Sequence, residues 1–196
     1  MKSDVIALGF ITTKDDAILL RVDSATSQDY MELEIVSEKK NNEFCFLPHN
    51  RLNAAPLHQV EGNMFMVYNM GTSDHPVGDI SVRVNDNQYH VVRFTRSGAN
   101  STIQVDDYNV QTHHPPGHQL SVFNSQSKIQ VGGRWSAPKK KVERAFSGVV
   151  SGLVFNGIRV LDLAASRDRR TLARGDVQVG SVRLFQTHSP VWLVWC

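Results

Sequence analysis

Tyr30-Met31-Glu32-Leu33-Glu34-Ile35-Val36 alternates apolar and polar residues with a period of two. In an extended chain Tyr30, Glu32 and Glu34 face one side and Met31, Leu33 and Ile35 the other, the signature of a half-buried antiparallel strand. The same rhythm runs outward in both directions. Upstream it marks strands near 5–12 and at Ala17–Val22. Downstream it marks strands near 64–69, 80–84, 90–97, 101–105, 120–124, 128–132, 146–156 and 158–163. Turn chemistry punctuates them: Asn85-Asp86-Asn87, Ser97–Ser101, Gly132-Gly133 and the two-residue hairpin signal Asn156-Gly157. Only Asp162–Arg174 leaves room for a helical turn or two. Many short strands joined by Gly and Asn turns define an all-β, antiparallel jelly-roll sandwich.

One segment breaks the rhythm. Ser37–Val60 opens with charged and amide residues, holds Pro48 and Pro56, and shows no sustained period, so a long surface loop is expected. Within it Phe44–Leu47 could add a short strand.

The chain has 196 residues, 41% of them hydrophobic and 20% charged, which suits one domain with its own core. A net charge of +2 makes no case for nucleic acid. Basic residues cluster at Lys139, Lys140, Lys141 and Arg144, and at Arg167, Arg169, Arg170 and Arg174. Solvated loops are the first reading of both groups; a patch for acidic glycans or an acidic protein is the second. Cys45 and Cys196 are too few for a disulfide framework, and their pairing stays open. The apolar runs at Val5–Phe10 and Val191–Cys196 fall short of an export signal and of the ~18–20 residues that cross a bilayer.

No catalytic motif is present: no GxSxG elbow, phosphate loop or HExxH, so no enzyme is expected. Asp106 and Asp107 are adjacent and cannot both point inward, which disfavours a two-carboxylate glycosidase. His113-His114 precede Pro115-Pro116-Gly117 and read as a surface pair, not a zinc site. His90 reads as a structural, hydrogen-bonded histidine. Asp29, at the entry to a strand, is either a turn cap or one oxygen ligand of a calcium ion. Asn100-Ser101-Thr102 is a glycosylation sequon on a hairpin.

Several ordered motifs resemble the laminin G-like (LNS) family. They include Asn85–Arg96, Val131-Gly132-Gly133 and Phe146–Gly157. The stretches Leu-Leu-Arg-Val-Asp-Ser, Asp-Tyr-Met-Glu-Leu and Val-Phe-Asn-Ser-Gln are similar to the last LNS domain of neurexins, in their details to invertebrate ones. The similarity spans about Asp4 to Val179 apart from Ser37–Val60. It implies one laminin G-like domain over 1–180, with 37–60 inserted and 181–196 an atypical tail. It also implies a calcium site on a loop rim, with side-chain ligands Asp29 and Asn124 and backbone carbonyls from Met70 and Val122. Partner contacts would fall on Ser27, His118, Ser121, Val122 and Asn124. His118 stands where vertebrate relatives have Arg, which gives up a fixed charge and bidentate reach. The family's optional splice insert, near Pro116-Gly117, is absent. The implied role is an extracellular, synaptic adhesion module binding a cell-surface protein such as a neuroligin. The alternatives are a domain binding heparan sulfate-type glycans through Lys139–Lys141 and Arg144, or a non-functional truncated form. Two strands and a rim segment ahead of Asp4 would be missing, leaving sheet edges open. Ser37–Val60, lying between Asp29 and Met70 in sequence, would be able to shield or displace the rim.

Overall fold

The computed structural model describes residues 3–37, 61–115, 122–173, 177–182 and 191–195. The strands are β1 (Ser3–Thr12), β2 (Ala17–Ser24), β3 (Tyr30–Ser37), β4 (Glu61–Asn69), β5 (Asp74–Arg83), β6 (Tyr89–Ser97), β7 (Asn100–Val105), β8 (Gln111–His113) and β9 (Gln126–Val131). They continue with β10 (Arg134–Ser136), β11 (Lys141–Glu143), β12 (Gly148–Phe155), β13 (Ile158–Arg159), the helix α1 (Val160–Ala165), β14 (Gln178–Val182) and β15 (Val191–Trp195).

Two sheets form the sandwich. One has the order β14-β15-β12-β1-β6-β7-β8 with β13 added to β12; the other has the order β5-β4-β3-β2-β9. The core lies between them. Ile6, Leu8 and Phe10 of β1 meet Met31, Leu33 and Ile35 of β3, all at 2% exposure or less. The alternation read in β3 therefore sets its inner face as expected.

The outer face of β3 differs from a plain solvent face. Glu32 and Glu34 are 6% and 2% exposed, and two arginines cover them. Arg21 Nη1 donates to Glu32 Oε2 at 2.6 Å. Arg144 bonds Glu34, donates to Asp16 Oδ1 at 2.7 Å and to the Ile35 carbonyl at 2.9 Å. Buried carboxylates persist because guanidinium groups neutralise them.

Three strand expectations are corrected. Of the strand read at 120–124, residues 120 and 121 lie outside the described residues and 122–124 are irregular; Phe123 is fully buried and Ser125 takes φ +49°, so Val122–Ser125 is a pinned turn. The pattern at 158–163 gives a two-residue strand and then α1, because Val160, Leu161 and Ala164 share helical spacing and Leu161 reaches the core. The strand expected at 80–84 runs over 74–83 and accommodates Pro76 because β5 is an edge strand. There, a register break between Asn63 and Phe65 is filled by Asn63 Nδ2, which donates to the Val82 carbonyl at 2.7 Å.

β3 pairs with β4 from Tyr30↔Asn69 at one end to Ser37↔Glu61 at the other. Residues 38–60 are thus rooted at the end of this hairpin opposite Asp29 and Met70. Residues 191–195, expected within a tail, form β15 and pair with β12 at Val149↔Trp195 and Val150↔Val194. Phe44–Leu47, Cys45 and Cys196 lie outside the described residues.

Candidate functional site

Three connections meet at one end of the five-stranded sheet. The first is the β2–β3 turn. Ser24 Oγ accepts from the amides of Thr26 and Ser27, both at 3.2 Å, and the Ser24 amide donates to the Asp29 carbonyl at 3.0 Å. Ser27 is exposed, and its Oγ accepts from the Asp29 amide at 3.3 Å. The second is the β4–β5 turn. Asn69 Oδ1 caps the Gly71 amide at 2.8 Å, and its Nδ2 donates to Asp74 Oδ1 at 2.8 Å. Because Tyr30 pairs with Asn69, Asp29 and Met70 stand side by side. The third is Val122–Ser125, anchored by Phe123 and by the Ala25 amide donating to the Ser125 carbonyl at 2.8 Å. Since Ser24 pairs with Gln126, Asn124 falls at the same end.

Asp29 is 7% exposed as a whole residue; among the described residues no hydrogen bond or ion pair to its carboxylate is found, and its oxygens are not sealed from solvent. Such a carboxylate, drawn largely out of water at the edge of the rim, gains from a counter-ion. A cation would satisfy it, and one carboxylate, one carboxamide and two backbone carbonyls are the hard oxygen donors that calcium takes. In chemical type these donors suit the ion. Among the described residues no group of three or more His, Cys, Asp or Glu could hold a metal; a set built on amide and backbone oxygens is of another kind. Met70 has a buried side chain, Val122 is half-buried and Asn124 is exposed. His118 and Ser121 lie outside the described residues.

Asn100 is exposed at the start of β7, just past the Gly98-Ala99 turn. That turn is near the rim end of β4, since the Tyr68 hydroxyl donates to the Ala99 carbonyl at 2.7 Å.

Two residues were misread in the sequence. Arg144 does not join the Lys139–Lys141 patch, because Asp16, Glu34 and the Ile35 carbonyl consume it. Burial pushes the Glu34 carboxyl up to about 7, against the pull of Arg144. Lys139, Lys140 and Lys141 are exposed near the β10–β11 turn, with Lys139 paired to Glu143 at 2.7 Å. In the second basic group Arg170 pairs with Asp168 at 2.7 Å, and Arg174 lies outside the described residues. His113 is not a loop residue. It ends β8, and its ring lies 5.5 Å from that of His75 and 6.4 Å from that of Tyr68. Its Nε2 is buried with no hydrogen-bond partner among the described residues. Burial, followed by the neighbouring His75 and His114, lowers its pKa.

His90 is structural, as expected. Its Nδ1 meets Asp106 Oδ2 at 2.7 Å and its Nε2 meets Asp86 Oδ1 at 2.9 Å, tying two turns together. Asp106 is occupied by that contact and by the Val91 amide at 2.7 Å, so it forms no paired-carboxylate site with Asp107.

A two-sheet antiparallel sandwich with a loop rim at one end is the architecture of a laminin G domain. The Laminin G domain family model matches residues 55–158, and the chain belongs to that family. It is 51% identical to Neurexin 1 of Drosophila melanogaster over 91% of its length, covering 8% of that protein. It is 38% identical to human Neurexin-3-beta over 92% of its length, covering 24% of that relative. Thus the chain is a neurexin-like laminin G domain and spans a small part of the curated relatives it matches. Among solved structures it is similar to the LG4-5 domains of the mouse laminin alpha1 chain. The TM-score is 0.61 at 13% identity, covering 91% of this chain and 42% of that one. The LG1-3 region of the laminin alpha2 chain gives a TM-score of 0.56 at 17% identity, covering 80% of this chain and 28% of that one. These two likenesses speak to the fold.

Proposed function

We propose that the chain is a calcium-dependent adhesion module that works outside the cell. It binds a cell-surface partner protein of the neuroligin type through the rim at Asp29, Met70, Val122 and Asn124. The observation that carries this reading is the largely buried Asp29, with no partner found for its carboxylate among the described residues, next in register to Met70 at the sheet end where Asn124 also falls. Two side chains and two carbonyls leave coordination positions for water or for an oxygen of the partner. Such a site is weak alone and completed on binding. Exposed Ser27 and Asn124 and half-buried Val122 would touch the partner; His118 and Ser121 are added to that contact by resemblance alone. The neurexin names of the relatives support the partner class. A glycan on Asn100 fits the same location, since that residue is exposed.

Calcium titration by calorimetry tests the reading. Saturable binding in the intact chain and its loss in Asp29→Ala are expected, together with chelator-sensitive capture of a neuroligin ectodomain. Capture that survives both chelation and Asp29→Ala would overturn the metal bridge.

A second reading is supported by the exposure of Lys139, Lys140 and Lys141. Sulfated glycans would bind there, at the end of β9 away from the rim. Heparin binding that falls steeply with salt is expected, and salt-independent binding would dismiss it.

A further inference from the structure

Gln126 opens β9, two residues past Asn124, and its carboxamide turns away from its own sheet. Gln126 Nε2 donates to Asp4 Oδ1 on β1 of the opposite sheet at 2.6 Å. Asp4 is fully buried. Its other oxygen, Oδ2, is taken by Arg96 of β6, whose Nε lies 2.9 Å away. Asn156, in the β12–β13 turn, donates from Nδ2 to Asp4 Oδ1 at 2.8 Å and to Gln126 Oε1 at 3.4 Å. The carboxylate thus has its charge neutralised by Arg96 and presents Oδ1 as a fixed acceptor. Gln126 is clamped by its side chain to one sheet and by its backbone, through the Ser24 pairing, to the other. Between this clamp and Phe123 lie only Asn124 and Ser125. Ser125 holds a left-handed φ of +49°, a conformation disfavoured for a side-chain-bearing residue and kept only where its surroundings impose it.

We propose that Gln126 is a positioning residue of the rim: its bond to Asp4 holds the Asn124–Ser125 turn in one conformation at the end of the sheet where Asp29 also lies. This rests on the calcium reading above for its purpose, but not for its geometry. Gln126 touches no ion. It acts through the turn, and pre-ordering a ligand removes the cost of ordering it on binding.

The test compares Gln126→Leu with Asn63→Ala. Asn63 is a buried amide at the opposite end of the five-stranded sheet, so its loss reports general destabilisation alone. Three quantities are read in the full chain: melting temperature, amide exchange across 122–126 without calcium, and calcium affinity. Gln126→Leu is expected to speed exchange locally in 122–126 and to weaken calcium binding about tenfold. Asn63→Ala is expected to lower the melting temperature at least as much while leaving both rim readouts at the intact chain's values. Gln126→Asn, one methylene short of Asp4, should fall between the intact chain and Gln126→Leu. Unchanged exchange and affinity in Gln126→Leu, or equal rim losses in Asn63→Ala, would overturn the proposal. If the intact chain binds no calcium, the calcium reading fails, and exchange alone decides: local loosening upholds the positioning role and unaltered exchange overturns it.

Discussion

Asp4 and Arg96 form an ion pair with no solvent exposure on either side chain. It links β1 to β6, and through Gln126 and Asn156 it reaches the other sheet and the β12–β13 turn. Removing one member strands the other charge. Arg96→Met should cost about 3–5 kcal/mol, the range for breaking a buried pair. Replacing both members with apolar residues should cost much less than the sum of the single changes. Urea unfolding of the two single variants and the double variant measures this; additive losses would mean that the two charges do not act as a pair.

Two histidines should give pH dependences of opposite sign. Burial disfavours the charge on His90, but the bonds to Asp106 and Asp86 outweigh it and its pKa is raised. Its contribution is therefore full below the unfolded value of about 6.5 and fades as pH rises through the folded pKa. His113 is lowered, so the folded chain resists its protonation. Its cost grows as pH falls from about 6.5 towards the folded pKa. Melting curves from pH 5 to 8 should show His113→Gln losing less stability on acidification than the parent chain. His90→Gln should be destabilised more at the acid end than at the alkaline end. Curves parallel to the parent would refute either assignment.

Arg144 is expected to matter for stability and not for sulfated glycans. Arg144→Gln leaves Glu34 and Asp16 facing each other without their cation, and the loss should lie towards the lower end of the roughly 3–5 kcal/mol for a broken buried pair, since the arginine keeps some exposure. Heparin retention should be unchanged in that variant and reduced in Lys140→Ala/Lys141→Ala. Reduced retention in Arg144→Gln at full stability would return this arginine to the surface patch.

Gly9 lies beneath the Tyr89 ring, whose hydroxyl meets Ser151 Oγ at 2.9 Å. A Cβ on Gly9 would collide with that ring. Gly9→Ala should cost about 1–3 kcal/mol, as overpacking does. The same change should cost less in a Tyr89→Ala background, where the ring is gone and of the closest atoms only Ser151 Oγ remains. An equal cost in both backgrounds, by thermal or urea unfolding, would assign the effect to the backbone instead.

The strands and hairpins were legible because period-two alternation and turn residues are local signals. Met31, Leu33 and Ile35 face the core as their spacing requires, and Asn156-Gly157 turns between β12 and β13 with both residues at positive φ. What could not be read is long-range pairing. Arg144 reads as one more basic residue after Lys139–Lys141; only tertiary contact brings it to Asp16 and Glu34, 128 and 110 residues away in sequence. His113 likewise reads as half of a loop pair until β7 and β5 place it against His75. Of the rim, Asp29 and Asn124 were nameable through resemblance, and their meeting at one end follows from strand register. Gln126 carried no signal, since a glutamine opening a strand is unremarkable until Asp4 lies opposite.

The β3–β4 hairpin has the rim at one end and the roots of residues 38–60 at the other. This polarity makes the hairpin a natural grafting point. A reporter peptide or fluorophore inserted between Ser37 and Glu61 would be attached a full strand length from the proposed binding rim. The domain could then be tethered to a surface or a bead in a known orientation, with its rim facing the solution.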